Sequence, residues 1–555
     1  MNRDMKKIGI GYEKYTEFID EDLYYVDKTL LVRDIINDGG KVTLFTRPRR
    51  FGKTLALSML RTFFECECDR QGNKVDNSRY FEGMKIMDAG EEILSHMGQY
   101  PVIKLSLKSA KQPDFRTALL NLKREIVDEF SRHEYLLDSD KLSDDDIAEY
   151  KKYRNPASSS NEAVDFSIAL KTLSQYLKKH HNRNVIMLLD EYDVPLENAY
   201  YEGFYKEMVG FIRSLFESAL KTNDALERGI ITGCLRISKE SIFTGLNHLN
   251  IVSIRSNEYA EGFGFTQAET EEMLDYYDLH DKIEEVREWY DGYLFGDSEI
   301  YNPWSVIKYV YDHRAKHDAF PEPYWANTSS NAIIKDLVEN SDADTQRELD
   351  NLILGGTVEK RIHEDITYDD IHESDDNLWN FLFFTGYMKK VSERKVERDI
   401  YVTMCIPNEE ICSIYDNHIR GWFEKKVKNT DKNEFHRAVL DGDTDKMSRI
   451  LTDMLKQSIS TFDSSESFYH GFLISTLYGV TDYVAQSNRE EGDGRPDITL
   501  YPENPPDPAI IFEIKIRKKF NEIQDGIDEA FRQIEEKRYE DGILEDGYVG
   551  AVSYG

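Results

Sequence analysis

The sequence predicts a mixed α/β protein in three parts: a parallel sheet with crossover helices, a helical middle region, and a terminal unit of order αβββαβ. Three observations predict it. From residue 41 to about 254, short apolar runs rich in β-formers alternate with helical stretches, as in a parallel sheet and its crossovers. From 255 to about 440, helical spacings recur without strong strand alternation. The last hundred residues set three strand-like runs and turn-rich tips between helical stretches. These shifts place domain borders at 1–260, 261–440 and 441–555, and a length of 555 residues suits about three to five units.

The five apolar runs of the first part are Val42 to Thr46, Val102 to Leu107, Val185 to Leu189, Gly229 to Thr232 and Ile251 to Ile254. Phe115 to Phe130 and Phe204 to Lys221 carry apolar residues at helical spacing between them. The acidic stretch Asp138 to Asp146 and the turn-rich Asn155 to Asn161 read as solvated insertions. Thr266 followed by Glu269 forms a capping box that opens a helix, the start of a helical lid and connecting region. The aromatic clusters at 289–293, 301–304 and 324–325 read as packing between helices, with stacking on a base as the alternative. Near the end, Ser464 to Leu477 reads as a helix and Tyr483 to Ser487, Asp497 to Tyr501 and Ala509 to Ile516 as strands. A helix from Asn521 to Tyr539 and a strand from Tyr548 to Ser553 close the unit.

Composition excludes several classes. With 70 Lys plus Arg against 104 Asp plus Glu, the net charge of −34 repels polyanions at long range, so any nucleic-acid contact has to be local. Hydrophobic content of 40% with only 32 Gly and 14 Pro argues against long disordered or collagen-like tracts. The five cysteines contain no CxxC pair, which argues against a thiolate zinc site or a disulfide framework; Cys66-x-Cys68 is the one pair that merits a redox test. No run approaches the roughly 18 apolar residues of a membrane span, and the first residues lack a signal peptide's apolar stretch. The expectation is a cytoplasmic protein without a membrane partner.

Two constellations carry chemistry. Gly52-Lys53-Thr54 stands between a strand and a helix, where helix-start amides point at an anion, Lys53 neutralises outer phosphates and Thr54 can ligate magnesium. The first glycine of the usual phosphate loop is replaced by Arg47, so the loop turns without it. NVIMLLDEYD then ends a strand in Asp190-Glu191, suited to a magnesium-orienting carboxylate and a neighbouring water-activating one. Thr232, at the end of the next strand, is placed to sense the γ-phosphate, and Arg236 to reach it within or across subunits.

The second constellation is Glu466, Asp497 and Glu513-Ile514-Lys515. Strand alternation projects Glu513 and Lys515 together while Phe512, Ile514 and Ile516 enter an apolar face. If the preceding segment is a hairpin, Asp497 lies beside Glu513, and two carboxylates with the Ile514 carbonyl make a hard-oxygen site for Mg²⁺ or Mn²⁺. Lys515 is the candidate to orient a nucleophile and stabilise developing charge, and Glu466 to complete the metal shell. The basic run Lys515, Arg517, Lys518, Lys519 is the local attractor for a polyanion in a segment, residues 496–555, that holds 7 basic and 14 acidic residues.

The segments YVDKTLLVRDII, TRPRRFGKTL, LLDEYDVPL, ITGCLRISKESIFTGLNHL, WYDGYLFG, YNPWSV and YWANTSSN resemble the AAA-ATPase-like family of bacterial proteins that carry a PD-(D/E)XK nuclease-like C-terminus. RPDITL, FEIK and the helix around Gln533 are similar to that superfamily's catalytic pattern. The resemblance implies a P-loop ASCE/AAA-like fold, a restriction-endonuclease-like terminal domain and ATP as ligand. It adds Arg49 and Arg50 to the nucleotide site, gives Gln533 a part in placing DNA or water, Lys537 a backbone-phosphate contact, and Asp27-Lys28-Thr29 a part in framing the nucleotide or in packing. The resulting expectation is an ATP-binding, ATP-regulated, Mg²⁺-dependent DNA nuclease. The alternatives are a catalytically inactive nucleotide-dependent switch or scaffold that binds nucleic acid or protein, and a motor assembling as a homo-oligomeric ring on DNA.

Overall fold

Five apolar runs form the strands β1 (Val42–Thr46), β2 (Val102–Ser106), β3 (Val185–Asp190), β4 (Leu226–Gly233) and β5 (Leu249–Val252). Every residue of β1 and β3 is buried, because helices cover both faces of a parallel sheet and leave no polar side. The computed structural model describes residues 5–69, 71–155, 164–236, 242–243, 248–325, 334, 343–353, 355–363, 375–415, 432–458, 466–487, 494–504, 506–517 and 522–555. The chain divides into two units, Met1–Ser329 with Glu359–Glu410, and Ser330–Val358 with Ile411–Gly555.

In the first unit the strands pair in the order β2-β3-β4-β1-β5, all parallel. The insertion of β4 between β1 and β3 is the ASCE arrangement. It brings the C-terminal ends of three strands together: Thr46 faces Gly233 across β1 and β4, and Leu189 faces Ile231 across β3 and β4. In an open α/β sheet that edge is where ligands bind.

The middle region holds more strand than its helical spacing suggests. Beside the predicted capping box, present in full at Thr266 and Glu269, lies a three-stranded sheet of β6 (Phe265–Thr266), β7 (Tyr293–Phe295) and β8 (Ser298–Tyr301), in the order β6-β8-β7. A second, of β9 (Val358–Ile362), β10 (Lys389–Val396) and β11 (Asp399–Cys405), has the order β10-β11-β9. These strands stand among the helices of a region whose sequence shows no strong strand alternation. Most of β10 is exposed, so it lacks the apolar alternation that betrays a strand, and its hairpin turns at Glu397 in the left-handed region, φ 54°, without an Asn-Gly signal. The aromatic clusters are packing: Tyr290, Tyr301 and Tyr324 are buried in one core with Tyr309, and Trp289 and Trp304 lie against it.

The second unit has a sheet of β12 (Tyr483–Ser487), β13 (Ile498–Pro502), β14 (Ala509–Phe512) and β15 (Ala551–Tyr554), antiparallel except for the parallel β14/β15 pair. Alternation divides its residues. Ile498, Leu500, Ile510 and Phe512 pack with the helices Asn433–Asp441, Thr444–Ser458 and Glu466–Leu477, whereas Ala509 and Ile511 pack with Ile534, Tyr539 and Ile543. The predicted strand to Ile516 stops at Phe512, and the predicted helix to Tyr539 stops at Glu536. Arg538 takes φ 53°, which breaks the helix and starts a second one, Tyr539–Glu545.

Candidate functional site

The first site gathers at the ends of β1, β3 and β4. The turn that the missing glycine leaves to other residues is made by Arg50, φ 70°, and Gly52, φ 78°. The Arg50 guanidinium lies 4.6 Å over the Trp304 ring, a cation–π contact that helps hold a non-glycine residue in the left-handed region. Arg47 turns inward and is fully buried. It donates to the carbonyls of Thr46 (3.1 Å) and Val252 (3.2 Å) and lies 4.7 Å over the Phe295 ring. Burial pulls its guanidinium down to about 9.

Gly52 precedes the helix Lys53–Phe64, whose first turn presents the Thr54 side chain and unpaired amides. Lys53 is buried and folded back on its own loop, donating to the carbonyls of Arg47 at 2.9 Å and Pro48 at 2.8 Å, with Cys234 Sγ at 3.7 Å. Asp190 is buried at the end of β3 and accepts the Thr232 hydroxyl proton at 2.5 Å. Glu191 takes φ 54°, and burial, with the Asp190 charge beside it, raises its carboxyl above the usual range. Arg49 pairs with Glu197. Arg236 stands three residues beyond the end of β4. Asp27-Lys28-Thr29 is engaged in packing: Asp27 caps Thr29 and Lys85 amides, and Lys28 donates to Glu269 at 2.5 Å and to the Glu261 carbonyl at 2.8 Å.

The second site lies at the junction of β13 and β14. The hairpin places Ile498 opposite Phe512, so Asp497 and Glu513 stand side by side one residue beyond the ladder. Asp497 Oδ2 accepts the Ile514 amide proton at 2.7 Å, and Lys515 Nζ donates to Glu513 Oε1 at 2.8 Å. Glu513 is 3% exposed and its Oε2 is buried with no partner among the described residues. Burial raises its carboxyl, the Lys515 hydrogen bond opposing. A buried carboxylate oxygen without a donor, next to a second carboxylate, suits a hard cation. Among the described residues no group of three His, Cys, Asp or Glu side chains is arranged to hold a metal. Glu466 opens the helix Glu466–Leu477, and its side chain lies outside the described residues.

Gln533 donates through Nε2 to the Tyr539 hydroxyl at 3.2 Å, and that hydroxyl donates to the Arg495 carbonyl at 3.1 Å. His470 Nε2 lies 2.8 Å from the Asp497 carbonyl oxygen. Tyr539 and His470 escaped the sequence reading because a lone Tyr or His on a helix carries no spacing signal. Asp193 escaped it too, although a third acid three residues after Asp190 was visible. Of the basic run, Lys515 and Arg517 are paired with Glu513 and Glu529, and Lys518 and Lys519 lie outside the described residues. Lys537 is exposed. None of the five cysteines is in a disulfide, and burial pushes the Cys66 thiol up to about 12, away from thiolate chemistry. Among the described residues no helix is long and apolar enough to cross a membrane.

Sheet order and strand-end residues define a P-loop α/β domain, joined in one chain to a four-stranded sheet domain with a paired carboxylate site. Residues 9–243 match the family of predicted AAA-ATPases, and residues 464–552 match the PD-(D/E)XK nuclease superfamily. The chain thus carries an AAA-ATPase-like domain and a PD-(D/E)XK nuclease-superfamily domain. It is also similar to an uncharacterized protein in the vnfD 5′ region of Azotobacter chroococcum mcd 1, 26% identical over 336 residues. That alignment covers 60% of this chain and 56% of the relative.

Proposed function

We propose that the chain binds ATP and is an ATP-regulated, Mg²⁺-dependent nuclease that hydrolyses phosphodiester bonds in DNA. The observation that carries the nuclease reading is Glu513, a buried carboxylate with one oxygen on Lys515 and the other without a donor among the described residues, beside Asp497. Asp497, Glu513 and the Ile514 carbonyl would hold the ion, with Glu466 as a further ligand. Bound magnesium supplies a water of lowered pKa and screens the scissile phosphate. Lys515 holds the Glu513 carboxylate in place and donates to charge that develops on phosphate oxygens. Gln533, anchored through Nε2, keeps its carbonyl oxygen to accept from a water or a base.

For the nucleotide, Gly52, Lys53 and Thr54 would take the phosphates, with Arg49 and Arg50 beside them. Asp190 and Thr54 would hold its magnesium, Glu191 would accept a proton from water, and Thr232 and Arg236 would report the γ-phosphate. An Arg236 that acts across subunits implies a homo-oligomer, which ATP-dependent assembly measured by light scattering would reveal.

Cleavage of plasmid and single-stranded DNA with Mg²⁺, with and without ATP, tests the reading. Product that depends on Mg²⁺, responds to ATP, disappears in Glu513→Ala and falls by roughly a hundredfold in Lys515→Ala supports it; no cleavage of either substrate ends it. A second reading, a nucleotide-dependent switch that binds without cutting, draws on the net charge of −34 and on Arg47 in place of the phosphate loop's usual glycine. It predicts ATP binding lost in Lys53→Ala and no Mg²⁺-dependent product.

A further inference from the structure

Between the phosphate loop and the acidic turn after β3 runs a short segment, Thr232 to Leu235, that both of them hold. On the turn's side, the Tyr192 amide donates to the Thr232 carbonyl at 3.1 Å and the Tyr192 hydroxyl to the Leu235 carbonyl at 2.6 Å. Asp193 Oδ2 accepts the amide protons of Cys234 at 2.6 Å and Leu235 at 3.1 Å. On the loop's side, the Arg47 amide donates to the Gly233 carbonyl at 3.1 Å, and Lys53 Nζ is 3.7 Å from Cys234 Sγ. Gly233 sits where no side chain fits, since a Cβ there would lie 2.5 and 2.6 Å from the Tyr192 ring and 2.9 Å from Asp193 Oδ1. The segment is a strap fixed at consecutive peptide groups, and the next residue is Arg236.

Asp193 is the asymmetric member of this clamp. It is 3% exposed; Oδ2 has two donors, whereas Oδ1 is buried with no partner among the described residues. A buried carboxylate with one bare oxygen is costly without a cation nearby. Lys53 is such a cation: its charge opposes the upward pull that burial exerts on the Asp193 carboxyl. Lys53 is also the group that phosphate oxygens would draw to themselves at the helix start, so a nucleotide and Asp193 compete for one ammonium.

We propose that Asp193 is a positioning residue that couples the state of Lys53 to the Thr232–Leu235 strap and thereby sets where the Arg236 backbone stands. The coupling rests on the nucleotide-binding reading of the phosphate loop. When the ammonium is drawn to phosphate, Asp193 loses its countercharge and Cys234 its neighbour, and of the loop-side contacts only the Arg47 amide to the Gly233 carbonyl is kept. Hydrogen bonding to two amides is the structural part of the role, and the charge is the coupling part.

Hydrogen exchange of the full chain, read on peptides spanning 226–236 with and without ATP and Mg²⁺, tests this alongside calorimetric titration of ATP. In the wild type, ATP changes exchange at Cys234 and Leu235 by at least about fivefold, the lower end of ordinary allosteric coupling. Asp193→Asn keeps an oxygen for the two amides and removes the charge. It retains ligand-free protection, binds ATP at least as tightly as the wild type because the competing charge is gone, and loses the ATP-induced change. Asp193→Ala loses the ligand-free protection as well; should it not fold, Asp193→Asn decides alone. The proposal is overturned if the wild type binds ATP without any change in exchange, or if Asp193→Asn keeps the change. A wild type that shows no heat of ATP binding takes down the nucleotide reading itself and the coupling with it, and the titration identifies that failure separately.

Discussion

The Asp497 carboxylate accepts the amide proton of Ile514 at 2.7 Å, a bond that fastens the start of β13 to the chain just beyond β14. One oxygen of the candidate metal ligand is therefore also a structural acceptor. Asp497→Asn, which keeps a side-chain oxygen for that amide, is expected to hold its Tm while cleavage falls to background. Asp497→Ala is expected to lose cleavage and about 1 kcal/mol of stability, since an amide in a half-buried place is left without a partner. Thermal unfolding beside a plasmid assay separates the two effects.

Glu513 is expected to give stability and cleavage opposite pH dependences. Its folded-state carboxyl is raised, by burial first, so its stabilising contribution is complete below the ordinary carboxylate range and is lost as pH rises through the raised value. Metal binding needs the ionised form, so cleavage is expected to climb over the same interval. Lys515→Ala removes the hydrogen bond that opposes the shift; its cleavage profile should move to higher pH and its rate fall by roughly a hundredfold. Rate–pH profiles with thermal unfolding at matched pH check both.

Lys53 donates to two carbonyls of its own loop as well as standing at the helix start. Lys53→Ala should weaken ATP by at least about tenfold, about 1.4 kcal/mol, and lower the Tm because the Arg47 and Pro48 carbonyls lose their donor. Calorimetric titration and differential scanning fluorimetry measure the two.

Arg47 occupies the position where phosphate loops usually have a glycine, yet its side chain is a buried strut. Arg47→Gly removes hydrogen bonds to the Thr46 and Val252 carbonyls and the contact with Phe295, leaving a cavity. The expected result is a loss of about 2–5 kcal/mol in stability with no gain in ATP affinity. Denaturant unfolding and ATP titration of the variant decide it.

Glu410 is buried and accepts from Ser305 Oγ at 2.8 Å and from the Trp325 amide at 2.8 Å, and burial raises its carboxyl to about 8. A raised folded value means that its contribution is complete below the ordinary carboxylate range and is lost as pH rises through about 8. Glu410→Gln, neutral at every pH, should therefore match the wild type near pH 5 and exceed it above pH 8. Each kcal/mol relieved raises Tm by roughly 2–4 °C in a domain of about 150–250 residues, and by less in a larger unit.

Much of this molecule could be read along the chain because the relevant physics is local. The fully buried strands β1 and β3 appear as largely apolar runs, since both their faces are covered. Gly52-Lys53-Thr54 falls where a strand gives way to a helix, and Glu513 and Lys515 share a side because strand residues two apart do. The exposed β10–β11 hairpin was hidden because neither face of β10 is covered by apolar packing.

What the amino-acid order determined by itself was the five strands of the AAA-ATPase-like domain, the loop and acidic turn at its edge, and the spacing of Asp497 from Glu513-x-Lys515. Tertiary structure alone decided that Arg47 points inward, that Asp193 grips Cys234 across 41 residues, that Glu410 meets Ser305 across 105, and that Tyr539 anchors Gln533. Period and propensity report which face a residue shares with its near neighbours. They carry no information on which distant peptide or hydroxyl will occupy the space opposite a buried charge, and that choice is made by packing and by the need to satisfy buried polar groups.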